Sequence, residues 1–420
     1  MKPSGPIPPG YAADAQGRLT IGGHDVDSLI AAAGDTPLFV YDLAMIAARI
    51  ARLRAAMPAG LAIHYAIKAN PHAHLLEAMA GIVDGFDVAS AGELATAMRA
   101  GMAAAKISFA GPGKRSRELE AAIRAGATIN LESEREADRA LSAAEALGLR
   151  PRLAVRVNPD FDLKGSGMRM GGGAKPFGID ESRVVPLVRR LVAAGADYRG
   201  LHIFAGSQSL DVGAIIETQA NTVALAHRID EESGVQAPLV NLGGGFGVPY
   251  FSGDVSLDVE AIGAALAERI GAEPSRYAIE LGRWMVAEAG VYLTRVVDRK
   301  DSHGKTFLVT DGGLHHQLAA SGNFGTVVRR NYPVAVATRF GAAADEELSV
   351  VGCLCTPLDR LADDVLLPAA DIGDVIAIFL AGAYGATASP AAFLGHAPAL
   401  EIAVSSRNPA ILTQNSPLRG

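Results

Sequence analysis

Between positions 43 and 286, short apolar runs recur about every 20 to 30 residues, with alanine-rich amphipathic stretches between them. The runs cover residues 61–67, 86–89, 106–109, 127–130, 153–157, 200–203, 239–242 and 277–280. Eight strand-like segments alternating with helical ones predict an α/β fold of the (β/α)8, TIM-like barrel type, with a parallel sheet closed on itself. A doubly wound sheet fits less well, because it has fewer strands and one dominant glycine loop.

After residue 287 the texture changes. Runs such as 291–297 and 306–310 are followed by further strand patterns with short turns and few helices, which predicts a mainly antiparallel C-terminal β domain over 287–420. Residues 1–42 form a third segment that contributes to this β domain, leaving 43–286 as the barrel. Positions 1–35 are rich in Pro and Gly and are expected to drape over the surface after a short strand and helix.

The chain has 420 residues, 49% apolar and 20% charged, enough for two domains and a sizeable core. Its net charge of −7 offers no basic footprint, so nucleic acid is not an expected partner. The N-terminus lacks the apolar core of a signal peptide, and the longest apolar run, 375–386, is too short for a bilayer and contains two glycines. No membrane partner is expected. The two cysteines, Cys353 and Cys355, fall in one strand-like run and exclude a disulfide framework. A zinc site would need further ligands nearby, and none has the spacing, so no metal is expected. This cysteine usage suits a reducing, cytoplasmic setting.

Candidate chemistry begins at Lys68, which ends the buried run 61–67 just before the Asn70-Pro71 break. A lysine there is costly unless paired, shifted in pKa or used covalently, and burial lowers its pKa toward a nucleophilic amine. Polar residues recur at the ends of other strands, where barrel enzymes place their working groups: Asp87 and Ser90, Arg156 and Asn158, and Glu280. The run Gly243-Gly244-Gly245 follows a strand late in the barrel, and its exposed amides suit a phosphate that a side chain would hold away.

The motif Tyr65-Ala66-Ile67-Lys68-Ala69-Asn70 resembles the lysine motif of the fold type III pyridoxal-phosphate decarboxylases, the diaminopimelate, ornithine and arginine decarboxylases with an alanine-racemase-like barrel. The likeness runs in order from Thr36-Pro37 to Tyr384-Gly385. It includes Ser108-Phe109-Ala110-Gly111-Pro112-Gly113-Lys114, Gly167-Met168-Arg169-Met170 and Gly352-Cys353-Leu354-Cys355-Thr356-Pro357. In detail the chain is most similar to the diaminopimelate-decarboxylase-like branch associated with exosortase A systems, and it also resembles decarboxylases acting on a glutamyl group held on an acyl carrier protein. The resemblance implies pyridoxal 5'-phosphate bound covalently at Lys68, with Asp87 and Arg156 also in the cofactor site. The phosphate would be held by Gly243, Gly244 and Gly245, supported by Arg283 and Tyr384, with Ser207 a further contact and Gly282 in the cofactor site. Glu280 would pair with the pyridine nitrogen, where racemases of this fold carry arginine. In a homodimer with shared sites, Cys355 of the second subunit would return a proton to the decarboxylated carbon.

Departures from the family pattern bear on substrate. Counting back from Gly206-Ser207 puts Phe204, not His202, at the position that stacks on the cofactor; His202 is expected in the interior or behind the site. Thr356 stands where diamine-producing relatives carry an acid that grips a second ammonium. His315-His316 occupy a stretch that lacks the Arg-Pro of diaminopimelate decarboxylases, and they read as pocket or surface residues rather than a metal pair. Asp359 is a candidate substrate or interface contact. Residues 165–178, with Lys164, Arg169 and Lys175, read as a mobile loop able to meet a phosphopantetheine arm. The expected activity is release of carbon dioxide from an amino acid of either configuration, free or tethered to a carrier protein. The alternatives are a diaminopimelate or other diamino-acid decarboxylase and, more distantly, a non-catalytic cofactor-binding regulator.

Overall fold

The computed structural model describes residues 1–165, 167–273, 276–322, 329–405 and 410–413. The chain divides into two compact units. Arg49–Val248 with Ser256–Gly282 form one, and Met1–Ala48, Pro249–Val255 and Arg283–Gly420 form the other.

All eight expected strands form in the first unit. In chain order they are Ala62–Ala66, Gly85–Val88, Ile107–Phe109, Thr128–Leu131, Arg152–Asn158, Asp197–Ile203, Val240–Asn241 and Tyr277–Leu281. Each bonds in parallel to the next, and the last closes on the first with Glu280 opposite His64. Local signals set the intervening helices. Ser90, Ser133, Asp211 and Asp258 accept a hydrogen bond from an amide in the first turn of their helices, and Gly126, Gly148 and Gly234 end theirs in the left-handed conformation. Helix Glu181–Ala193 buries Val184, Leu187, Val188 and Leu191, the i, i+3, i+4, i+7 stripe that docks a helix on a sheet. Burial of side chains of this size stabilises by about 1.5–3 kcal/mol each.

The second unit centres on the long strand Gly290–Ser302. It pairs antiparallel with Leu38–Asp42, Val375–Ile378 and Lys305–Thr310. Two parallel pairings, Leu400–Ser405 with Leu38–Asp42 and Lys305–Thr310 with Glu346–Val351, complete a mostly antiparallel sheet. The N-terminal residues depart from expectation. Leu19, Ile21, Val26 and Leu29 are fully buried with Leu38, Val40, Val291 and Phe379, so this segment builds core instead of draping over it. Its polar turns hide the apolar alternation of the strand Leu19–Ile21 and the helix Val26–Ala33. The cysteines also differ: the strand Glu346–Val351 stops before them, and both lie in the loop 352–359. No helix among the described residues is long and apolar enough to cross a membrane.

Lys114, in the shared Gly-Lys segment, has a structural task in the barrel unit. It is 4% exposed, and its ammonium donates to the carbonyls of Gly111 and Asn130 and to both oxygens of Glu136, at 2.7–3.1 Å. Replacing it with Met strands a buried carboxylate, so Lys114→Met is expected to lower unfolding free energy by about 3–5 kcal/mol. Urea denaturation measures this, and the double variant Lys114→Met/Glu136→Gln is expected to recover part of the loss.

Candidate active site

Lys68 sits in a 3-10 turn, Ile67–Ala69, directly after the first barrel strand. Its side chain is exposed, whereas Ile67 and Ala69 on either side are buried. This corrects the expectation of a lysine ending a buried strand. The strand stops at Ala66, because Asn70 turns the chain by accepting the His72 amide at 3.0 Å and offering its carbonyl to the Tyr65 hydroxyl at 2.9 Å. Accessibility, not burial, is what the turn provides.

Glu280, on the eighth strand, is buried. Its Oε2 lies 2.7 Å from Nε2 of His202 on the sixth strand and 3.3 Å from the amide nitrogen of Asn241 on the seventh. Burial pushes the Glu280 carboxyl up, but the His202 bond and the charges of His202, Lys68 and Arg156 outweigh it and hold the group at about 2. Asp87, on the second strand, goes the other way. Burial and the Glu280 charge raise its pKa, and His64, 3.2 Å away, only partly opposes them. That contact is close but poorly aligned, so both Asp87 oxygens lack a hydrogen-bond donor. The two interior carboxylates are thus pushed apart, with Glu280 the firmly ionised one.

Phe204 follows the sixth strand and is half-buried, with the Lys68 ammonium 5.7 Å from its ring centre. His202 points instead at Glu280. Arg156 does not stand free at its strand end. It pairs with Glu132 at 2.8 Å and lies 5.2 Å from the Phe177 ring centre. Glu132 also accepts the amides of Gly111 and Gly178. Sequence reasoning missed Glu132, although its place just after the fourth strand was a signal; His64 in the lysine motif was another.

The glycine run has a different reason from the one expected. A Cβ at Gly243 would stand 2.6 Å from the Ile203 carbonyl oxygen, one at Gly244 2.0 Å from that of Glu280, and one at Gly245 2.7 Å from Leu163. The loop is folded tightly onto neighbouring strand ends, which excludes side chains. The amides of Gly244 and Gly245 donate to nothing among the described residues, and amides so left can bind an anion. Ser207 is half-buried and pairs through its backbone with Met168. The Arg169 side chain lies outside the described residues; its backbone pairs with Gly206. The stretch expected to be a mobile loop is instead bonded down, with the amides of Met170 and Gly171 on the Ala205 carbonyl and that of Gly172 on Pro159. Lys164 spends its charge on Glu217 at 3.0 Å.

In the β unit, Arg283, the residue after Gly282, receives no carboxylate among the described residues. Its Nη1 donates to the Tyr250 hydroxyl at 2.8 Å, it lies 4.7 Å from the Tyr384 ring centre, and its buried Nε has no partner. A guanidinium so placed suits an anion. Cys355 is exposed and Cys353 half-buried. Thr356 takes the Leu358 amide on its hydroxyl at 3.4 Å. Asp359 is 2% exposed, and its two oxygens accept the Leu314 and Leu354 amides at 2.6 and 2.8 Å. It is therefore a clamp between two loops. His315 and His316 are buried in a turn with ring centres 3.7 Å apart, not on a strand or at the surface. Burial, with the neighbouring His316 and His396, pushes His315 down to about 4.

An accessible lysine, an ionised buried carboxylate, an aromatic face and unpaired amides fit a phosphorylated pyridine aldehyde, and known proteins agree. The profile described as pyridoxal-dependent decarboxylase, pyridoxal binding domain, matches residues 43–294. The chain is 39% identical over 381 residues to the L-glutamyl-[BtrI acyl-carrier protein] decarboxylase of Niallia circulans, covering 88% of each chain. It is 31% identical over 380 residues to the diaminopimelate decarboxylase of Aquifex aeolicus, covering 89% of this chain and 88% of that one. The crystal structure of diaminopimelate decarboxylase from M. jannaschii with L-lysine superposes with a TM-score of 0.84 at 25% identity, covering 96% of this chain and 94% of that one. The chain belongs to the pyridoxal-dependent decarboxylases.

Proposed function

We propose that this pyridoxal-phosphate enzyme decarboxylates an amino acid that lacks a second ammonium, presented as a glutamyl-type group on an acyl carrier protein. The observation that carries this is in the loop 352–359. Its one carboxylate, Asp359, has both oxygens committed to backbone amides, and Thr356 offers only a hydroxyl. A diamino acid would find no exposed carboxylate there, and an unpaired ammonium is strongly disfavoured. The relative from Niallia circulans, which acts on such a tethered group, supports the same reading.

Lys68 would carry the coenzyme, with Phe204 against the ring and the amides of Gly244 and Gly245 toward the phosphate. The coenzyme supplies an electron-withdrawing ring that accepts the electron pair left as carbon dioxide departs. Glu280 would supply the negative charge that pairs with the ring nitrogen, and His202 and Asn241 orient its carboxylate. The exposed turn at Lys68 lets the amine leave and return, and the freed amine can hold a proton. We further propose that the enzyme is a homodimer in which an exposed Cys355 serves the site of the other subunit. A racemase is disfavoured by Glu280, because a ring nitrogen paired with arginine makes a weaker electron sink.

Carbon dioxide release from a glutamyl-loaded carrier protein, compared with free diaminopimelate, lysine and ornithine, tests the substrate. The tethered group is expected to be favoured by about 100-fold in kcat/KM, and rapid turnover of diaminopimelate overturns the assignment. Lys68→Ala is expected to lose both turnover and the visible band of the bound coenzyme, as read by absorbance on the purified protein.

The depressed pKa of Glu280 also has a sign. Its contribution to stability is complete above the ordinary value of 4.5 and is lost as pH falls toward about 2. Compared with Glu280→Gln, the natural protein is therefore expected to lose stability over that window, at up to about 1.4 kcal/mol per pH unit. In His202→Leu, which removes the main opposing contact, the acid end of the window rises and the total loss shrinks. Denaturant midpoints measured across acid pH check both.

A further inference from the structure

Three side chains outside the decarboxylase chemistry converge in the β unit. His315 lies in the turn that follows Lys305–Thr310, Cys353 in the loop after Glu346–Val351, and His396 in the segment before Leu400–Ser405. One donor atom from each lies within 4.8 Å of the others. Cys353 Sγ is 3.9 Å from Nδ1 and 4.0 Å from Nε2 of His396, and the His315 and His396 ring centres are 5.0 Å apart. His315 is 0% exposed, yet neither of its ring nitrogens has a hydrogen-bond partner among the described residues. A buried imidazole with both nitrogens unpaired is costly and demands an explanation.

Buried polar groups on residues adjoining each ligand hold the cluster in place. Asp359 accepts the amides of Leu314 and Leu354, which adjoin His315 and Cys353. Gly313 and Gly352, on the far side of those pairs, are the positions where a Cβ would fall 2.3 and 2.2 Å from the Asp359 carboxylate. His316 spans to the third segment: its Nδ1 meets the Tyr292 hydroxyl at 3.1 Å and its Nε2 the carbonyl of Ala397, next to His396, at 2.9 Å. Bonds that orient ligands in this way accompany metal sites.

We propose that His315, Cys353 and His396 form a transition-metal site of the zinc(II) class, with a fourth position open on the exposed His396 side. Tetrahedral zinc with one thiolate and two imidazoles separates its donor atoms by about 3.5 Å, so these ligands would draw in by roughly 0.5 to 1.5 Å on binding. Cys353, whose thiol now faces the Asp311 carbonyl at 3.4 Å, would give its proton to solvent and its sulfur lone pair to the metal. Each histidine would bind through an unprotonated nitrogen. Neither Lys68 nor Glu280 takes part, so the site does not depend on the substrate reading above. Occupancy would tie together three loops, one of which carries Thr356 and Cys355.

The test uses the coenzyme-loaded protein, dialysed against a chelator and then titrated with zinc(II). One zinc per chain is expected, with an X-ray absorption spectrum showing one sulfur at about 2.3 Å and two imidazole nitrogens at about 2.0 Å. Cys353→Ser is expected to remove the sulfur shell and, like His396→Gln, to weaken binding at least 10-fold, about 1.4 kcal/mol. Circular dichroism confirms that each variant is folded, and Cys355→Ser is expected to leave the site intact. No zinc binding, binding unchanged in Cys353→Ser and His396→Gln, or a sulfur shell lost with Cys355→Ser instead would each overturn the proposal.

Discussion

A carboxylate kept ionised inside a barrel is the constraint on which the site depends. Glu280 is 6% exposed, and left alone in that position it would take up a proton. Donors from two neighbouring strands prevent this, His202 from the sixth and Asn241 from the seventh. Those donors are in reach only because the sixth, seventh and eighth strands run parallel in register, with His202 opposite Asn241 and Asn241 opposite Ala278. A slip of one residue would turn the donors to the other face of the sheet and leave the charge unpaired. Barrel closure and the ionisation of Glu280 are in this way one problem, solved by the same hydrogen bonds.

The same economy appears in the turns. The loop 243–245 excludes side chains because it lies against the strand ends, and that closeness leaves two amides pointing free. In the β unit, Asp359 bridges two loops through their amides, and the glycines beside those amides exist because its carboxylate occupies the space. A carboxylate 2% exposed between two loops is closed to solvent.

Much of this is legible in the order of residues alone. The eight strand runs, the helices between them and the change of texture near residue 287 follow from apolar spacing and turn residues, which are local properties, and the membership of Leu38–Asp42 in the β sheet follows from the family resemblance. Lys68, Glu280 and the glycine run stand out for the same reason: each is a costly residue type at a strand end. What escapes is everything that depends on a partner far away in the chain. Glu132 opposite Arg156, the commitment of Asp359, and the meeting of Cys353 with His396 all join residues whose pairing no local pattern signals. The N-terminal segment misleads for a related reason, since its short buried stretches lie among prolines and glycines.

The chain by itself determined the order of elements, because periodicity, capping and turn preference act over a few residues, and its lysine motif pointed to the chemical class through the family it resembles. Only the tertiary structure decided which charges are spent and which remain available. It made Lys68 exposed, tied His202 to Glu280, turned Asp359 into a clamp and left His315 buried without a partner among the described residues. Burial and hydrogen bonding depend on segments brought together from distant parts of the sequence, and the energy of a polar group is set by that company.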